Sequence, residues 1–134
     1  MLVDANIFIF ASDTGYPEHA DAVRFFETSS EELVFNTIVA LECHYGCLRN
    51  LGASEAERIL KTMLESKMLS YYDIEREDIL EGAAIAVRYG MKSNDATMVA
   101  SMLRKGMHKI ATDNVKDFRR HPDIEVINPI KRKG

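Results

Sequence analysis

The feature that most constrains this chain is the alternation of short apolar runs with amphipathic stretches long enough to be helices. Residues 1–3, 32–36, 69–73, 108–112 and 124–128 read as strands, and residues 19–27, 38–51, 55–67, 77–89 and 95–105 repeat their apolar positions at helical spacing. Strands separated by helices imply right-handed crossovers, since parallel neighbours cannot be joined by a tight turn. The expected fold class is α/β: a mainly parallel sheet with helices on both faces.

Local signals punctuate the elements. Pro17 stands where it would open the first amphipathic helix, and Asn36 or Thr37 is placed to cap residues 38–51, which Gly52 stops. Ser54 is the expected cap of 55–67, and Ser93 or Asn94 that of 95–105; Gly90 and Gly106 end the last two helices. No repeat or linker divides the chain, so one domain over 1–134 is expected.

With 134 residues, 46% of them hydrophobic and 28% charged, a packed core is feasible without cross-links. The two cysteines, Cys43 and Cys47, lie four apart in a helix, a spacing that does not close a good disulfide. They read as reduced and buried, because His19, His44, His108 and His121 lack zinc-ligand spacing. Asp4 and Asn6 interrupt the first apolar run, and no other run nears membrane-spanning length, so no membrane association and a cytoplasmic location are expected. The net charge of −4 argues against broad electrostatic binding of nucleic acid, and leaves partner choice to local chemistry.

Four acids occupy places where a solvated charge is not the natural expectation. Asp4 ends the first apolar strand, and Asp113 ends the strand at 108–112. Glu42 lies among Ile38, Leu41 and Tyr45 in a core-like helix, and Asp95 opens a helix that is apolar around most of its circumference. Each alone has a local explanation as a turn former, a helix-dipole partner or a side chain reaching for water. Together, two strand ends and two helices of one sheet can converge at the carboxyl ends of the strands. Four carboxylates about 5 Å apart would repel by roughly 20 kcal/mol over six pairs at an effective dielectric near 20. No Lys or Arg lies near all four in sequence, so a hard divalent cation, Mg²⁺ or Mn²⁺, is the economical counter-charge.

On these residues the chain resembles the PIN-domain family, in particular VapC-type toxins, over nearly its whole length. Asp4-Ala5-Asn6, the helical Glu42, Asp95-Ala96-x-x-x-Ala100 and Thr112-Asp113-x-x-x-Asp117-Phe118 occur in the family's order and spacing. The resemblance implies a five-stranded parallel sheet and a Mg²⁺- or Mn²⁺-dependent endoribonuclease. Its catalytic, metal-binding acids would be Asp4, Glu42, Asp95 and Asp113, with Asp117 reaching a second metal and Asn6 and Thr112 supporting the ligands. It also implies an antitoxin that places a basic or apolar segment near the acids. RNA approaching an acidic pocket needs basic residues at the rim. Arg119 and Arg120 are the first choices, and Arg104, Lys105, Lys109, Lys131, Arg132 and Lys133 are further ones. A homodimer through residues 38–67, with Leu60, Met63, Leu64 and Met68, is the expected assembly. Three alternatives remain: a non-catalytic PIN-like scaffold, an RNA-processing nuclease without an antitoxin, and a receiver domain. The last should carry an acidic pair after its first strand, where this chain has Ala5.

Overall fold

The computed structural model describes residues 1–132; of the expected basic tail, Lys133 lies outside them. In chain order the elements are β1 (Leu2–Val3), α1 (Ala5–Ser12), α2 (His19–Thr28), β2 (Leu33–Asn36), α3 (Thr37–Leu51) and α4 (Ala53–Glu65). There follow β3 (Leu69–Tyr72), α5 (Arg76–Tyr89), α6 (Ser93–Arg104), β4 (Lys109–Ala111), α7 (Val115–Phe118) and β5 (Glu125–Ile127).

The five strands form one parallel sheet in the order β3-β2-β1-β4-β5. β1 is short and central: Leu2 pairs with Val34 on one side and Ile110 on the other, and Leu2 and Val3 are fully buried. The chain steps outward from β1 through β2 to β3, then returns to the other side of β1 for β4. That reversal makes the β1/β4 junction a topological switch point, where two crossovers diverge and open a crevice at the strands' carboxyl ends.

Two buried devices set the helices that flank this crevice. The Asn36 side chain caps α3 by accepting from the Val39 N–H at 3.0 Å, and its amide donates to the Tyr72 hydroxyl at 3.1 Å. That hydroxyl shares a 2.7 Å hydrogen bond with Ser101 Oγ, so one satisfied polar chain joins the start of α3 to α6. Gly82 lets α5 lie directly on α6: a Cβ there would come within 2.7 Å of Thr97 Cα. The residues of α6 from Asp95 to Met102 are consecutively buried, as expected of a central helix.

Several local expectations shift. Pro17 stands in the turn before α2, and the helix begins two residues later at His19. Gly52, at φ 90°, ends α3 and serves as the N-cap of α4, so Ser54 lies inside the first turn; the two helices join without a separate linker. α6 starts at Ser93, with Lys92 at the N-cap and no side-chain cap bond, which places Asn94 and Asp95 within its first turn. In α4, Met63 is buried and Leu60 packs against the core, which leaves Leu64 and Met68 as the exposed part of the association surface expected there. Cys43 and Cys47 are free and buried. No helix among the described residues is long and apolar enough to cross a membrane.

Candidate active site

Asp4 leaves β1 at the switch point. Its N–H donates to the Ala111 carbonyl at 2.9 Å, and its carboxylate accepts from the Ala5 N–H at 2.8 Å, from Thr112 Oγ1 at 2.7 Å and from Asn6 Nδ2 at 3.3 Å. Thr112 is the hinge of this network: fully buried at the end of β4, it also accepts from the Asn114 N–H at 2.9 Å and from Asn6 Nδ2 at 3.3 Å. Asn6 in turn accepts from the Asp113 N–H at 3.2 Å. The Asp-x-Asn and Thr-Asp-Asn segments are therefore one hydrogen-bonded unit spanning two strands.

Asp4, Asn6, Glu42 and Asp95 line a common cleft of about 560 Å³ together with Asn94 and Asn114. Leu41 and Tyr45 of α3 form its apolar wall. Gly46 permits the close approach of α3 to α1, since a Cβ there would stand 2.6 Å from Ile9 Cδ1. Lys92 and Ser93 extend the cleft along the start of α6.

The electrostatics of the cleft are unbalanced. Burial drives the Glu42 carboxyl up to about 7, helped by the charges of Asp4 and Asp95 and opposed by a hydrogen bond from Asn94. Burial, then the charges of Asp4 and Asp117, raises Asp95 to about 6 against the pull of Lys92. Asp4, only 7% exposed, is also raised by burial despite its three hydrogen-bond donors. Asp95 is 9% exposed, and its Oδ2 is buried without a hydrogen-bond partner among the described residues. Such an orphaned carboxylate oxygen is costly unless something is to be bound there.

Asp113 and Asp117 are placed differently. The Asp113 carboxylate is engaged by Arg132, whose guanidinium grips both its oxygens, and by Asn128 Nδ2 at 3.1 Å. Arg132 and Asn128 hold it below the usual carboxylate range despite its partial burial, and it does not line the cleft. Asp117 lies 3.8 Å from Lys92 Nζ. Lys92 and Arg132 therefore do reach the acids, and Asp113 is removed from the expected mutual repulsion. Replacing Arg132 with Ala should raise the Asp113 pKa toward its ordinary value, followed by carboxyl-carbon NMR titration; an unmoved Asp113 would mean that Asn128 alone sets it.

The basic residues proposed for the rim also separate. Arg104 closes α6 at the end away from the cleft and pairs with Asp78, and Lys109 begins β4 and pairs with Glu31 at 2.6 Å. Both face the wrong end of the sheet, because in a parallel α/β fold helix C-termini and strand N-termini lie opposite the crevice. Arg120 donates to the Gly90 carbonyl at 3.2 Å, and neither Arg119 nor Arg120 lines the cleft. Lys92, Asn94 and Asn114 were not singled out as site residues. The only sequence signal for them was adjacency to Asp95 and Asp113.

The donor set suits a hard cation. Among the described residues, no three Asp, Glu, His or Cys side chains stand as a ready-made metal cage. A small divalent ion such as Mg²⁺ keeps several waters and takes only one or two carboxylates directly, so three raised acids around a shared cleft, one with an unpartnered oxygen, fit it.

The raised acids make metal-free stability pH-dependent. Because Glu42 and Asp95 hold protons in the folded state that the unfolded chain has released, stability should fall as pH rises from roughly 4.5 to 7 and then level off. Melting in EDTA across that range, compared with Glu42→Gln, should show a shallower slope in the variant; identical slopes would mean Glu42 titrates normally.

A family model for the PIN domain matches residues 1–124. No curated protein sequence matches the chain. The structure is similar to that of Mycobacterium tuberculosis VapC20, described as a sarcin–ricin loop cleaving toxin. The TM-score is 0.78 at 20% identity, covering 88% of this chain and 92% of that one. It is also similar to a toxin–antitoxin complex from Klebsiella pneumoniae, with a TM-score of 0.71 at 21% identity over 98% of both chains. DNA-bound VapBC from Salmonella typhimurium gives 0.70 at 19% identity over 96% of each. At these identities the likeness speaks for the fold.

Proposed function

The chain belongs to the PIN-domain family, and we propose that it is a divalent-metal-dependent endoribonuclease serving as the toxin of a toxin–antitoxin pair. The observation that carries this reading is the buried, unpartnered Asp95 Oδ2 in a cleft shared with Asp4 and Glu42. Those three acids would hold Mg²⁺ or Mn²⁺, with Asp117 near enough to Asp95 to raise its pKa and Asp113 available if Arg132 lets go. Bound there, the cation supplies Lewis acidity and an activated water to a phosphodiester.

The remaining roles fall to the chain's own groups. Thr112 and Asn6 fix the Asp4 carboxylate by hydrogen bonds to the oxygen that does not cap α1, and so hold one acid rigid at the strand end. Asn94 steadies Glu42. Lys92, exposed at the cleft mouth, is the cation best placed to meet an RNA phosphate, ahead of Arg119 and Arg120. Leu41 and Tyr45, both exposed beside the acids, offer an apolar seat next to negative charge, which suits an antitoxin segment carrying both apolar and basic side chains.

Incubation with a panel of structured and single-stranded RNAs, with Mg²⁺ or Mn²⁺ against EDTA, tests the activity. Copurification with a small protein encoded beside this one, and suppression of cleavage by it, tests the pairing. That no three-acid cage stands preformed among the described residues favours one competing reading, a PIN-like scaffold without catalysis. Calorimetric titration with Mn²⁺ separates the two: no heat and no metal-dependent product support the scaffold.

A further inference from the structure

The wall that α3 gives the acid cleft continues beyond it. Leu41 and Tyr45 are 63% and 62% exposed, and Arg49, one turn past Tyr45, is exposed as well. A spacing of four sets these side chains along one face of the helix, away from the buried Cys43 and Cys47. The Arg49 guanidinium lies over the Tyr45 ring, its Cζ 5.8 Å from the centroid, and has no ion-pair partner among the described residues. An exposed tyrosine on a helix is ordinary, but this one lines the same cleft as Asp4, Glu42 and Asp95. Glu42 and Asp95 also line the extension that holds Lys92, and Tyr45 does not. The acids therefore lie between two exposed cations, Lys92 on the α6 side and Arg49 on the α3 side, the second backed by an aromatic ring.

We infer that Tyr45 and Arg49 form the seat for the nucleotide next to the scissile phosphate, with its base stacked on the Tyr45 ring and its own phosphate held by Arg49. This rests on the nuclease reading proposed above, and adds to it how RNA is kept on an acidic protein. The chemistry of the pair selects the occupant. An aromatic ring stacks on any base, because every base has a π-face, and a guanidinium beside it answers the charge of the nucleotide. A base inside a duplex is already stacked on its neighbours, so the seat takes an unpaired nucleotide. With a net charge of −4 the substrate must be held by local contacts, and the other expected cations do not supply them. Arg104 and Lys109 lie at the far end of the sheet, and Arg132 is bound to Asp113. The wall is the one offered above to an antitoxin segment, so that segment and the substrate would compete for Tyr45.

Short single-stranded RNAs carrying 2-aminopurine at each position in turn read the stacking directly, since the fluorescence of that base is quenched when it stacks. On the Asp95→Asn background, with Mg²⁺ and in EDTA, binding should quench the probe at one position. Tyr45→Ala should abolish that quench and weaken binding at least about tenfold, and Tyr45→Phe should retain both. Arg49→Ala should weaken binding and lower its salt dependence by roughly one ion. Both side chains are exposed, so circular dichroism should be unchanged in each variant. In the active protein, Tyr45→Ala should raise KM for a single-stranded substrate by more than it lowers kcat. A Tyr45→Ala protein that binds, quenches and cleaves like the wild type overturns the seat and leaves the nuclease reading standing, as does a duplex of the same sequence bound as tightly as the single strand. The absence of metal-dependent product from every RNA overturns the nuclease reading, and the seat with it.

Discussion

Asp95→Asn should abolish divalent-dependent RNA cleavage while leaving the metal-free protein as stable as the wild type, or more so. Asp95 is the acid whose loss removes most from the proposed site. It lies in the first turn of a central helix, its Oδ2 has no partner among the described residues, and burial, then the charges of Asp4 and Asp117, already opposes its ionisation. Loss of groups that merely support a metal ligand costs about 10- to 100-fold, so loss of the ligand itself should exceed roughly a hundredfold. Removing a half-repelled buried charge should not cost stability in EDTA, and the amide keeps the volume. Cleavage rate, Mn²⁺ affinity and melting temperature, read on one preparation, separate the outcomes. An active variant would remove Asp95 from the chemistry, and cooperative loss of folding would make it structural.

Asp78→Ala should produce the largest loss of stability from a single polar change. The Asp78 carboxylate, buried between α5 and α6, accepts from Arg104 Nε at 2.8 Å and Nη2 at 2.9 Å, and from the Glu75 N–H at 2.9 Å as part of the α5 capping box. Burial alone would raise its pKa, but the Arg104 and Glu75 hydrogen bonds outweigh burial and hold it below the usual value. Breaking such a pair leaves a partly buried guanidinium with only the more exposed Glu75 carboxylate, 3.4 Å away, as its anion, which costs about 3 kcal/mol. For a chain of this length that lowers the melting temperature by on the order of 10 °C. The sign with pH follows from the lowered carboxyl. Its contribution is present above the ordinary pKa of 3.8 and is lost as pH falls through the folded-state value. The difference between wild type and variant should therefore shrink in acid. A difference that persists there would assign the loss to packing alone.

Much of the molecule was legible because its signals are local. The period of apolar residues placed the strands and the longer helices to within a few positions. Asn36 caps α3 and Gly90 ends α5 in the left-handed conformation, as their chemistry demands. The helix starts were less legible at 53 and 93, where no side-chain cap marks the first turn. A buried carboxylate at the end of an apolar strand is visible in the sequence as an anomaly, and Asp4 stood out for that reason.

The sequence by itself determined which residue types end each strand and open each helix, and hence that several acids lie at one end of an α/β sheet. Only the tertiary structure decided which of them meet. The order β3-β2-β1-β4-β5 brings Thr112 against Asp4 across 108 positions of sequence, and the packing of α3 and α6 over that junction turns Glu42 and Asp95 into the same cleft. The path of the chain after β5 carries Arg132 to Asp113, and the direction of α6 sends Arg104 to the far end of the molecule. Strand order and crossover direction are set by the summed packing of distant apolar faces, a sum that no short window of sequence contains, whereas a cap or a helical period is settled within one or two turns of chain.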